Sequence, residues 1–190
     1  MRLVVGLGNP GARYANTRHN VGFRVIDELA RRWGIQTGPR RFEALTGGGA
    51  IRGVRTLLLK PQTFMNLSGR AVREATAFHK LPLADLLVVV DDMALPLGRL
   101  RIRQAGSAGG HNGLASVIAE LGTEEFARLR IGIGAVGGER MVQHVLSPFE
   151  PGELAVLERA VARAADAVEC WAAEGCQAAM NAFNRPGEPD

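Results

Sequence analysis

His19 and Asp91 are the side chains of this sequence best suited to acid–base chemistry. His19 stands in Thr17-Arg18-His19-Asn20, beyond an Asn- and Gly-rich loop that follows a short apolar run. Asp91 closes the most apolar run of the chain, Leu86-Leu87-Val88-Val89-Val90. Imidazole titrates near neutral pH, and a carboxylate beside it can fix the ring tautomer and stabilise the imidazolium that forms. A lone histidine is more often structural, so the case rests on position. Both residues fall at the carboxyl side of expected strands, the edge where α/β proteins bind ligands. A nucleophile for covalent catalysis is hard to find: there is no G-x-S-x-G elbow, and Cys170 and Cys176 lie far off in the acidic C-terminal region. Activation of water is then the simplest chemistry. A metal centre finds little support. His79 stands beside Lys80, His111 lies in a glycine loop, His144 is isolated, and neither H-x-x-x-H nor C-x-x-C occurs.

Three asparagines sit in special turns: Gly8-Asn9-Pro10-Gly11, Phe64-Met65-Asn66-Leu67 and Gly110-His111-Asn112-Gly113. Asparagine in turns usually serves the backbone, and Asn66 also fits the cap of a following helix. At strand-to-helix crossings, however, their amides could converge on a peptide or a base edge, offering donor and acceptor without charge. Gly6-Leu7-Gly8-Asn9-Pro10-Gly11 matches G-x-G-x-x-G, but helical periodicity starts only at Val21, and Arg31 and Arg32 stand where a dinucleotide site wants an acidic residue. The glycines more simply allow a tight turn that presents Asn9. The stretch 104–110 reads as a connector, or as a lid or phosphate-facing loop. Arg101 and Arg103 lead into it on one face of a strand, a face suited to phosphates or to solvent.

These residues need a scaffold, and the apolar spacing supplies one. Strands are expected at 3–7, 42–50 with 54–59, within 85–91, at 100–103 and at 129–136. Helices are expected at 21–33, with Asn20 at the N-cap and Gly34 beyond the last turn, and at 67–78, 113–121, 142–146 and 153–173. The last would turn Leu154, Leu157, Val161, Ala164, Val168 and Trp171 inward. Residues 184–190 read as a frayed tail. Strands alternating with helices, with no internal repeat or linker, predict one α/β domain over 1–190. It is a three-layer α/β/α domain around a mixed, mainly parallel sheet.

The 190 residues suffice for one core without disulfide or metal staples. No apolar run reaches membrane-spanning length, and two cysteines suit a reducing compartment, though a pair could still bridge. The formal charge is +4, unevenly spread. Residues 1–60 hold 11 basic and 3 acidic side chains, whereas residues 151–190 hold 3 and 7. Of the 23 basic residues 21 are arginine, whose planar fork suits phosphate and makes nucleic acid a candidate partner.

Taken together the segments resemble bacterial-type peptidyl-tRNA hydrolase over nearly the whole chain. The resemblance is carried by Val5-Gly6-Leu7-Gly8-Asn9-Pro10-Gly11, Tyr14 with Thr17-Arg18-His19-Asn20-Val21-Gly22, Lys60-Pro61-Gln62-Thr63-Phe64-Met65-Asn66-Leu67-Ser68-Gly69, Val90-Asp91-Asp92, Gly109-Gly110-His111-Asn112-Gly113-Leu114 and Leu129-Arg130-Ile131-Gly132-Ile133-Gly134. It implies hydrolysis of the ester between a peptide and the tRNA 3′-terminal ribose, by a cytoplasmic monomer with no metal or cofactor. It implies His19 as the group that activates water and Asp91 as the supporting carboxylate. Asn9 would tell N-blocked from free aminoacyl-tRNA, and Asn66 and Asn112 would hold the peptide backbone. Tyr14, Phe64 and Met65 would line the substrate site, and Arg101, Arg103 and Arg130 would grip tRNA phosphates. Ala94 stands where the family often has a further acidic residue, Arg103 where lysine is usual, and the turn at 122–126 looks one residue short. Two other readings stay open: a non-catalytic RNA-binding relative of the same fold, and a nucleotide-dependent enzyme acting through Gly6–Gly11. The basic excess of residues 1–110 is expected around the site, with the acidic C-terminal helix leading away from it.

Overall fold

β1 (Arg2–Gly6) has no polar interruption in Leu3-Val4-Val5 and is buried on both faces. In the computed structural model, which describes residues 1–135 and 141–185, it is the middle strand of a seven-stranded sheet. It pairs in parallel with β4 (Val54–Pro61) on one side and β5 (Leu86–Asp92) on the other, and β5 pairs in parallel with β7 (Ala127–Gly132). Antiparallel strands close both edges: β3 (Ala44–Ile51) and β2 (Arg40–Arg41) beyond β4, and β6 (Leu100–Arg103) beyond β7. The order is β2-β3-β4-β1-β5-β7-β6.

Helices cover both faces. α1 (Val21–Trp33) and α5 (Leu154–Glu174) bury Val21, Val25 and Leu29 with Leu157, Ala164, Val168 and Trp171 on one side. α2 (Ser68–Phe78) and α3 (Asn112–Leu121) bury Ala71, Val72, Leu114 and Val117 on the other. The expected three-layer α/β/α arrangement with a mixed sheet is therefore present. Two further helices are short, α4 (Met141–Val145) and α6 (Cys176–Phe183).

Several local expectations need correction. α6 went unforeseen because Gly175 reads as a terminus; its φ of 90° instead turns the chain into one more helix. Leu154, expected inward, is 44% exposed in the first turn of α5. The strand expected from 42 begins at Ala44, because Phe42 and Glu43 take left-handed turn conformations. The strand expected over 129–136 ends at Gly132, and residue 136 lies outside the described residues. Asn184 is not frayed. Its Nδ2 donates to the Ile102 carbonyl and its Oδ1 accepts from the Ile102 N–H, pinning the chain to edge strand β6; residues 186–190 lie outside the described residues. Neither asparagine expected to cap a helix does so through its side chain. Leu67 holds the N-cap of α2, and Asn20 is used elsewhere.

The glycines of Gly6–Gly11 serve close packing. A Cβ on Gly6 would strike the Gly22 carbonyl, whose carbon lies 2.6 Å from that position, and a Cβ on Gly8 would lie 2.9 Å from the Phe23 ring. Strand β1 and the first turn of α1 thus approach backbone to backbone. Gly6→Ala should destabilise the protein by about 3 kcal/mol, since the obstacle is main chain and cannot swing aside. A thermal melt should fall by roughly 10 °C; an unchanged melt would mean that α1 can shift away freely.

Candidate active site

Strands β1, β4 and β5 run in parallel and end on one edge of the sheet, and the chemistry collects there. Asp91, in the last turn of sheet at β5, is 3% exposed. Its Oδ1 accepts two hydrogen bonds, from His19 Nδ1 at 2.7 Å and from His111 Nε2 at 2.9 Å. His19 comes from a 3₁₀ turn, Arg18–Asn20, just before α1, and His111 occupies the N-cap of α3.

The hydrogen bonds fix both tautomers. His111 Nδ1 accepts from the backbone N–H groups of Gly113 and Leu114 at 3.1 and 3.2 Å, so its proton is on Nε2 and goes to Asp91. The free N–H groups at the start of α3 thereby polarise the ring as a donor. His19 gives its Nδ1 proton to Asp91 and keeps an unprotonated Nε2, which has no hydrogen-bond partner among the described residues. Burial alone would raise the Asp91 carboxyl, but the His111 and His19 imidazoles outweigh it and hold the group well below the usual carboxylate range. The arrangement is a base backed by a carboxylate that the fold keeps ionised more readily than a free one.

Asn9 is held as closely. The Asn20 side chain clamps its backbone from both sides: Asn9 N–H donates to Asn20 Oδ1 and Asn20 Nδ2 donates to the Asn9 carbonyl, each at 2.9 Å. Asn9 Oδ1 accepts from the Met65 N–H at 2.8 Å. With its oxygen occupied, the amide presents its Nδ2 donors, which have no protein partner among the described residues.

A cavity of about 360 Å³ opens over His19 and Asp91. Gly109, Gly110 and Asn112 bound it on one side, and Met141, Val142 and Val145 of α4 on the other. Arg18, beside His19 and 4% exposed, ties together the segments that flank α4. Its guanidinium takes Glu153 in two bonds of 3.1 and 2.7 Å, reaches the Ile133 carbonyl and Ser147 Oγ at 3.3 Å each, and lies 4.8 Å from the Phe149 ring centroid.

Two imidazoles and a carboxylate are also a ligand set that a divalent ion could use. Here the three groups are spent on one another: both rings donate to a single oxygen, and the outer nitrogen of His111 is taken by backbone. A metal held by Asp91 Oδ1 and His111 Nε2 would have to break the bond between them and invert the tautomer of His111.

A family model described as peptidyl-tRNA hydrolase matches residues 3–190. The chain belongs to the peptidyl-tRNA hydrolase family. A peptidyl-tRNA hydrolase from Synechococcus sp. (strain JA-3-3Ab) is 56% identical over 186 residues, covering 97% of this chain and 83% of that protein. One from Carboxydothermus hydrogenoformans is 53% identical over 187 residues, covering 98% and 100%. A crystal structure of a peptidyl-tRNA hydrolase with n-propanol matches at a TM-score of 0.94 and 35% identity, covering 100% of this chain and 97% of that one. The peptidyl-tRNA hydrolase of Acinetobacter baumannii matches at 0.92 and 36%, covering 97% and 94%.

The remaining residues expected of a peptidyl-tRNA hydrolase are dispersed around this centre. Asn112 is exposed at the cavity mouth. Met65 is buried, and Asn66 is exposed beside it. Phe64, 58% exposed, lines a neighbouring groove with Pro10, Arg40 and Arg70 rather than the cavity at His19. Tyr14 is half-buried and lines neither. Arg101 and Arg103 are exposed on β6, while Leu100 and Ile102 point into the core. Register sets Arg101 opposite Arg130 and Arg103 opposite Arg128, so the four arginines share one face of the sheet. The inner two brace the 104–110 loop. Arg128 is fully buried and donates to the carbonyls of Gly106, Ser107, Glu124 and Phe126; Arg130 donates to Ser107 and Ala108 and pairs with Asp92 at 3.3 Å.

His111, Asn20 and Arg128 were missed by sequence reasoning. His111 looked like a loop residue, although its place directly before a helix was a usable cap signal. Glu153, just before the acidic helix α5, holds Arg18 beside His19, and Asp166 and Glu169 on α5 hold Arg32 at the far end of α1.

Proposed function

We propose that this protein hydrolyses peptidyl-tRNA, freeing the peptide and the tRNA, as a cytoplasmic monomer with residues 1–190 acting as one domain. The observation that carries the reading is the bonded Nε2–Nδ1···Asp91 arrangement of His19 at the edge of a cavity, in a chain of this family. His19 Nε2 takes a proton from water, and the hydroxide forms its bond to the ester carbonyl carbon. The tetrahedral intermediate collapses, the bond to the ribose oxygen breaks, and the imidazolium returns its proton to that oxygen. Asp91 stabilises the imidazolium between the two steps. Asn9 Nδ2, freed by the Met65 N–H, suits the ester carbonyl or the oxyanion, and Asn66 and Asn112 suit the peptide backbone. Tyr14, Phe64 and Met65 shape the surroundings of the terminal nucleotide.

The reaction needs no metal in this scheme. A paired assay tests it: N-acetyl-aminoacyl-tRNA should be cleaved and free aminoacyl-tRNA spared, with chelator making no difference. Loss of turnover in chelator, or equal cleavage of both substrates, would overturn the scheme.

Arg101 and Arg103 form the tRNA grip, and Arg130, engaged by Asp92 and the Ser107 and Ala108 carbonyls, braces the loop behind them. Phosphate binding releases counterions, so affinity should fall steeply with salt. Arg101→Gln and Arg103→Gln should each lower the log–log salt slope by about 1 and weaken different tRNAs alike. A slope unaltered in the double variant would place the phosphates elsewhere.

A further inference from the structure

A second groove lies between the C-terminal end of α2 and strands β3 and β4. It measures about 580 Å³, exceeds the cavity at His19 and shares no lining residue with it. Its floor is open sheet. Nothing lies within 4 Å of where a Cβ on Gly48 would stand, whereas Ile35 covers the opposite face at Gly47 and Gly49. Phe42 and His79 line one wall. Phe78 stands at its rim, outside the lining, 5.3 Å from Phe42 between centroids and 60% exposed. The Arg41 guanidinium lies 5.0 and 4.8 Å from the Phe42 and Phe78 ring centres. Phe42 is held there at a φ of 55°, a backbone conformation unfavourable for a phenylalanine.

The charge is as specific as the shape. Among the described residues no carboxylate lines the groove, and Arg41 and Arg55 do. In the arginine-rich first sixty residues, Arg2, Arg18, Arg31, Arg32 and Lys60 are matched to carboxylates. Arg13, Arg24, Arg40, Arg41, Arg52 and Arg55 have no ion pair among the described residues, and of these Arg41 and Arg55 line this groove. Burial and the Arg41 and Arg55 charges push the His79 imidazole down, so it adds ring surface there.

We propose that this groove binds a single-stranded RNA segment, separate from the tRNA whose ester is cleaved at His19. The exposed Phe78 ring beside the half-buried Phe42, flanked by guanidinium groups without ion pairs, forms a stacking platform with a phosphate grip. A duplex acceptor stem cannot use such rings, because its bases are stacked on one another. The separateness of the strands rests on the tRNA reading above, which commits the single-stranded 3′ end to the catalytic cavity.

The test is fluorescence anisotropy of the full-length protein with a labelled oligouridylate of about ten nucleotides, with and without saturating deacylated tRNA. Binding should survive the tRNA. Phe78→Ala should weaken it about tenfold, with Phe78→Tyr restoring it. Arg41→Gln and Arg55→Gln should each reduce its salt slope by about 1. Hydrolysis of N-acetyl-aminoacyl-tRNA by Phe78→Ala and Arg55→Gln should be unchanged, which separates this surface from the catalytic reading. No binding to the unaltered protein would overturn the proposal. Displacement by tRNA, with loss in Arg101→Gln and Arg103→Gln but not in Phe78→Ala, would assign the oligonucleotide to the substrate surface. Equal competition by an acidic peptide would reduce the groove to an unspecific anion patch.

Discussion

Replacing His19 with Ala is expected to lower kcat on N-acetyl-aminoacyl-tRNA by roughly 10³-fold or more, with tRNA affinity unchanged. Positioned general acid–base groups contribute about 10² to 10⁴-fold, and here one ring performs both proton transfers. The lost atoms are the acceptor for the water proton and the donor to the leaving ribose oxygen. The arginines of β6 are untouched, so the effect belongs in kcat and not in binding. Single-turnover hydrolysis and a separate filter-binding measurement divide the two. Near-normal turnover would remove His19 from the mechanism. An equal loss of tRNA affinity would instead make it a binding residue.

Asp91→Asn should cost about 10²-fold or more in kcat, while leaving a folded protein. An amide oxygen can still accept from both His19 Nδ1 and His111 Nε2, so the distances of 2.7 and 2.9 Å need change little. What goes is the negative charge that stabilises the imidazolium. The same variant tests acid stability. The folded-state carboxyl is held below its ordinary value by His111 and His19 against the cost of burial. As pH falls below about 4, the unfolded chain therefore takes up this proton before the folded one does. The contribution of Asp91 is complete above that pH and is lost on acidification. Urea melts should show the native protein weakening through this window and Asp91→Asn weakening less steeply. Parallel curves would mean that the Asp91 carboxyl is not perturbed in the fold.

Much of the scaffold was legible because apolar spacing records burial directly. Leu86-Leu87-Val88-Val89-Val90 favours a strand covered on both faces, and Val21, Val25 and Leu29 fall on one side of a helix. Local signals failed where a residue is used at long range. Asn20 has the composition of a cap, yet its amide is worth more clamping the Asn9 backbone than bonding its own helix. Asn184 sits in a Pro- and Gly-rich tail, yet it completes the hydrogen bonding of an edge strand. In both cases a buried or edge backbone group needed a partner, and sequence proximity carries no record of which side chain supplies it.

The sequence by itself determined the alternation of strands and helices, the reactive residue types and, through resemblance, the family. Tertiary structure alone decided that Asp91 serves two histidines. His111 is brought to the carboxylate by the N-terminus of α3, and its tautomer is set by backbone N–H groups of that helix. It also decided where the positive charge acts. Arg18, Arg32, Arg128 and Arg130 look alike in sequence to Arg101, Arg41 and Arg55, but the first four are occupied by carboxylates and loop carbonyls. A charge becomes available for a ligand only when packing leaves it without a nearer partner. That depends on which surfaces the fold brings together.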